Sequence, residues 1–93
     1  MVKANKPKRQ AYKRAIKRIN TILRQDWDPI GASVPEDEYE SYAPHILRLL
    51  LDNAGHAVLS DYLFTTAANT INCPIQRDHA DHVAQMLLNL DLS

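Results

Sequence analysis

Residues 26–44 read DWDPIGASVPEDEYESYAP. These nineteen residues hold the chain's one Trp, two of its four Tyr, three of its five Pro, the first of its two Gly, and six carboxylates. Helical patterns lie on either side, so this stretch decides between one long helix and a chain that folds back. Asp28-Pro29 biases the backbone away from helix and into a turn, and Gly31 adds conformational freedom. Ser33 and Glu36 have capping-box spacing, which predicts a helix starting there. The acids at 36, 37, 38 and 40 then fall in its first turns, where the helix dipole favours negative charge. Pro44 interrupts the amide ladder and predicts a kink or short break near 42–44.

Upstream, Lys8 to Asp26 is helical in pattern. Tyr12, Ile16, Ile19 and Leu23 recur at +4, +3, +4, with Ala15 and Ile22 beside them. Lys13, Arg14, Lys17, Arg18 and Arg24 take the other side, giving an amphipathic helix with a cationic outer face. Residues 1–7 are basic, hold a Pro and lack an apolar anchor, so a disordered tail is expected there. Downstream, Tyr39, Tyr42, Ile46, Leu49 and Leu50 share a stripe that carries the second helix to about Asn53. Asn53-Ala54-Gly55 stops it, with Gly55 suited to positive φ. A third helix spans about His56 to Ile71, with Val58, Leu59, Tyr62, Leu63, Thr66, Ala67 and Ile71 on its apolar face. Asn72, Cys73 and Pro74 end it. Asp78 is the expected N-cap of a fourth helix that buries Ala80, Val83, Ala84, Leu87, Leu88 and Leu90. No strand-like alternation of useful length occurs. The expectation is an all-α fold: a single domain over 8–93, built as a small, mostly antiparallel four-helix bundle with a Pro-rich acidic connector between its first two helices.

Composition sets the outer limits. Ninety-three residues, 45% hydrophobic and 24% charged, suit one soluble globular domain with a modest core. One Cys excludes an intrachain disulfide and suits a reducing, cytoplasmic setting. The opening MVKANKPKRQ lacks the apolar stretch of a secretory signal. The run ILRLLL is too short to span a bilayer and is broken by Arg48. The net charge of zero conceals a polarised chain. Residues 1–24 hold nine Lys/Arg and no acid (+9), while residues 25–93 hold two Arg and eleven acids (2 − 11 = −9). Such asymmetry points to a charged partner, or to pairing of the basic helix with the acidic body.

The connector also carries a likeness. Trp27-Asp28-Pro29-Ile30-Gly31, then Glu36-Asp37-Glu38-Tyr39, Ser41-Tyr42 and Pro44 come first. A Leu-rich helix, an Ala-Gly stop, a helix with Tyr62-Leu63 and a closing Leu-rich helix follow. Together they resemble a group of small bacterial all-helical proteins of unknown function. The likeness covers roughly residues 20–90 and implies a cytoplasmic, non-enzymatic helical domain. Some of the group are suspected toxin-immunity proteins. The chain departs from the group at Ile71-Asn72-Cys73, at Thr65, Thr66 and Asn69, and in its strongly basic first helix.

Chemistry is sparse. Trp27 is expected to plug the gap between the first two helices, its N–H held by a carbonyl, with Tyr39 and Tyr42 packed nearby. The connector acids lack the alternating pattern and central Gly of a calcium loop. His79-x-x-His82 with Cys73 has ligand-like spacing but lacks an obvious third and fourth ligand. Both histidines are expected to face solvent, with His45 at a helix start and His56 in a loop. No catalytic triad, phosphate loop or isolated carboxylate pair is present, so no metal, no cofactor and no enzyme activity are expected. The leading expectation is a non-catalytic protein-binding module. Its best specific form is an immunity-type protein that neutralises a toxin, such as a nuclease, by occlusion. Asp26, Asp28, Glu36, Asp37, Glu38 and Glu40 would form its acidic surface. The alternative is nucleic-acid binding through Lys13, Arg14, Lys17, Arg18 and Arg24. A homodimer pairing basic helix with acidic patch is a third form. Membrane attachment is disfavoured, because the apolar face of the first helix is needed for the core.

Overall fold

A computed structural model describes residues 5–31, 35 and 37–90, with side chains described from Gln10 onward. The described residues are helical, without a strand. Helix α1 spans Asn5–Ile22 and continues into a π-helical turn at Leu23–Trp27. A 3-10 turn at Glu40–Tyr42 leads into α2, Ala43–Leu51. Helix α3, His56–Thr65, also ends in a π-helical turn, Thr66–Thr70. Helix α4 is Arg77–Leu88.

One apolar core joins all four helices. Ile19, Leu23, Trp27, Tyr39, Ile46, Leu59, Leu63, Val83 and Leu87 are its large, fully buried members. The densest seam is α3 against α4, and α2 packs on α1. The expected apolar stripes supply most of this core, with three exceptions. Tyr12 and Val58 are half exposed and Leu88 is more than a third exposed, although each falls on a predicted buried face.

Helix ends show where local chemistry sets the fold. The two π turns close with the same bond, Asp28 N–H to the Leu23 carbonyl and Ile71 N–H to the Thr66 carbonyl, but the left-handed residue is Asp28 itself (φ 34°) in the first and Asn72 (φ 63°), one residue past the bond, in the second. Cys73 N–H then reaches back to the Ala67 carbonyl at 2.8 Å. Asp and Asn tolerate this region because their short polar side chains bond locally. Helix α2 ends in a Schellman arrangement, with Ala54 N–H on Leu49 O and Asn53 N–H on Leu50 O. Here Asn53 (φ 62°), not the expected Gly55, takes the left-handed position. Gly55 is extended (φ −82°, ψ 175°) and caps the start of α3.

Two further expectations are revised. Helix α1 begins at Asn5 rather than at Lys8. Residues 1–4 lie outside the described residues, as do Ser33 and Glu36 of the predicted capping box. Of the kink or short break predicted near 42–44, the break is present: the 3-10 turn gives way to α-helix at Ala43, and Pro44 sits in the first turn, where a missing N–H costs nothing. Helix α4 is capped at Gln76 rather than Asp78, because Gln76 is the extended residue from which the helix departs.

Candidate protein-binding surface

The connector is organised around a buried phenol. Tyr39 is fully buried although Glu38 and Glu40 on either side are exposed. Its ring meets Trp27 edge to face, with centroids 5.3 Å apart, and Tyr42 meets the same indole at 5.8 Å. Such contacts add to the large apolar burial of each ring. The Tyr39 hydroxyl donates to Asp28 Oδ1 at 2.8 Å and accepts the Ile30 N–H at 3.1 Å. Asp28 Oδ1 also accepts the Gly31 N–H at 3.3 Å. One side chain thus ties the Asp28–Gly31 turn to the approach to α2. Burial, and then the bond to the Asp28 carboxylate, push the Tyr39 hydroxyl up from 10.0 to about 12. The expected carbonyl partner for Trp27 is absent, since its indole N–H meets no acceptor among the described residues.

Turn bonds carry the chain forward from there: Glu38 N–H to Pro35 O, Glu40 N–H to Asp37 O, and Tyr42 N–H to Tyr39 O. They hold Asp37, Glu38 and Glu40 in turns rather than in the first turn of an α-helix, as sequence spacing predicted. All three carboxylate residues are exposed. The six predicted acids therefore divide. Asp37, Glu38 and Glu40 face solvent. Asp28 spends a carboxylate oxygen on the turn. Asp26 is half-buried, and its backbone carbonyl lies 2.5 Å from His79 Nε2. Glu36 lies outside the described residues.

The predicted cations keep together. Lys13, Arg14, Lys17 and Arg18 are exposed on α1, and Arg24 is exposed in its π turn. Lys13, Arg14, Lys17 and Arg24 form no ion pair with an acid among the described residues. The ion pairs seen there belong to Arg77, which meets Asp61 closely and lies 3.9 Å from Asp81.

A second polar cluster, not read from the sequence, pins α3 to α4. Ser60, almost fully buried, donates to Asp81 Oδ1 at 2.5 Å. His56 Nε2–H donates to the Asp81 carbonyl at 2.9 Å, and the Arg77 guanidinium lies over the Phe64 ring at 5.0 Å. These contacts serve packing: His56 bonds the Asp81 backbone, not its carboxylate, so no serine–histidine relay forms. His79 is half-buried on Asp26 instead of facing solvent, whereas His82 is exposed. His45, in the first turn of α2, stacks on Tyr62 at 4.5 Å, and His56 opens α3 rather than lying in a loop. Burial also raises the Tyr62 hydroxyl above its ordinary range.

Among the described residues, no group of three His, Cys, Asp or Glu comes together as a metal site. No described helix is long and apolar enough to cross a membrane. Comparison with known proteins finds no matching family, no matching curated protein and no matching solved structure.

Proposed function

We propose that this chain is a non-catalytic protein-binding module of the immunity type, acting in the bacterial cytoplasm to neutralise a basic toxin domain by occlusion. The observation that carries this reading is the alternation at the connector. A fully buried Tyr39 sits between exposed Glu38 and Glu40, with Asp37 one residue before. A surface whose backbone is fixed by a buried anchor loses little further entropy on binding. Its carboxylates can steer a cationic partner, and the cleft of a nucleic-acid-cleaving toxin is cationic because it must hold phosphates. Asp28 is then a positioning residue behind the surface rather than a contact. In a mostly antiparallel bundle such a turn would lie between helix ends, open to docking. The likeness of Trp27–Gly31 and Tyr39–Tyr42 to the small helical group points the same way.

The test is capture from the native host at low salt, with wild type beside the triple reversal Asp37→Lys, Glu38→Lys, Glu40→Lys. Expected is a basic protein held by the wild type and lost by the variant, with an association rate that falls as salt rises. Capture that survives the reversal removes this reading.

A further inference from the structure

The half-exposed Tyr12 opens a second surface. Beside its ring, Pro44, Leu47, Arg48, Leu51 and Asp52 line a depression of about 370 Å³ between α1 and α2. Leu51 there is 64% exposed and Tyr12 50%. Next to Tyr12 begins the cationic face. Lys13 and Lys17 stand one helical turn apart, about 6 Å along the axis, and Arg14 heads the neighbouring row. An aromatic face in a groove, flanked by a row of cations, is the combination that holds an unpaired strand: bases stack while phosphates track the charges. We propose that α1 and this groove bind single-stranded RNA, with one base on Tyr12 and phosphates along Lys13, Arg14 and Lys17.

Two observations favour that occupant. The apolar face of α1 (Ala15, Ile19, Ile22, Leu23) is buried in the core, so the helix has nothing to insert into a lipid surface. Within the groove, the Asp52 carboxylate repels phosphate but accepts a ribose 2′-hydroxyl, the group that separates RNA from DNA.

The probe is a fluorescein-labelled oligouridylate roughly 12 nucleotides long, read by anisotropy across a salt series. Expected is salt-sensitive binding that weakens about tenfold or more in Tyr12→Ala with an unchanged salt slope. Tyr12→Trp should retain it. Lys13→Glu with Lys17→Glu should weaken it and flatten the slope by about 1.4, at about 0.7 for each phosphate no longer neutralised. Asp52→Ala should narrow the preference over oligothymidylate. Circular dichroism confirms that each variant folds, since all four positions are exposed. No binding at low salt overturns the proposal. So does equal binding of duplex with Tyr12→Ala silent, which marks phosphate attraction alone. Equal affinity for oligothymidylate overturns the RNA assignment. The connector triple reversal removes negative charge and should not weaken oligouridylate binding, so this surface and the protein-binding surface fail independently.

Discussion

The connector and the α3–α4 seam both tie successive parts of the chain together with polar side chains, but they place those side chains differently. In the connector, one fully buried phenol serves Asp28 and Ile30 beneath an indole. In the seam, buried Ser60 meets Asp81, while Arg77 and Asp61 stay about half exposed. Water competes for the seam's ion pairs and screens them, whereas the connector's two bonds meet at a hydroxyl on a fully buried ring. Geometry at the connector is therefore costlier to disturb, and that is where the solvent-facing carboxylates sit.

The hardest blow to this contrast is Trp27→Ala, which removes the indole that both Tyr39 and Tyr42 abut. A loss of about 3–5 kcal/mol is expected in urea unfolding. A loss under about 1 kcal/mol would mean the connector is not anchored this way. Tyr39→Phe keeps the ring and deletes only the hydroxyl, for about 1–2 kcal/mol. It also carries a pH signature. The folded-state hydroxyl titrates at about 12 against an ordinary 10.0, so its contribution is fully present below pH 10 and is lost as pH rises toward 12. Stability of the wild type should fall through that window, and Tyr39→Phe should fall less. Ser60→Ala in the seam should cost about 1 kcal/mol, because Asp81 is exposed enough to rehydrate. Asp61→Asn should cost less than about 1 kcal/mol, and less still in high salt. If the two seam changes exceeded the two connector changes, the ranking of the regions would be inverted.

The sequence was most legible where a residue's role follows from its neighbours. Periodicity located the four helical stretches, Asn72 stopped the third, and the aromatic-acid mixture at 26–44 read as rings inside and charges outside. Partnerships between distant positions were not legible. Tyr39 and Asp28 are 11 residues apart, Ser60 and Asp81 are 21, and His79 and Asp26 are 53. No local spacing couples such pairs; only the packed core brings them together. That is why Asp28 read as a surface acid and His79 as a solvent-facing histidine. Pro44 left two readings, a kink or a break, and the choice between them rests on the turn bonds before it. Tyr12 fell on the apolar stripe by period, yet the core closes beneath it at Ala15 and Ile19 and leaves its ring at the rim.

The exchange rate of the Ile30 amide tests the claim that a buried clasp presents the acidic turn. Its N–H is held by the Tyr39 hydroxyl, next to an exposed glycine, in a segment without regular helix. Hydrogen exchange followed by NMR should find it protected in the wild type and fast in Tyr39→Phe, with the α3–α4 amides unchanged. An Ile30 amide that exchanges freely in the wild type would contradict the account.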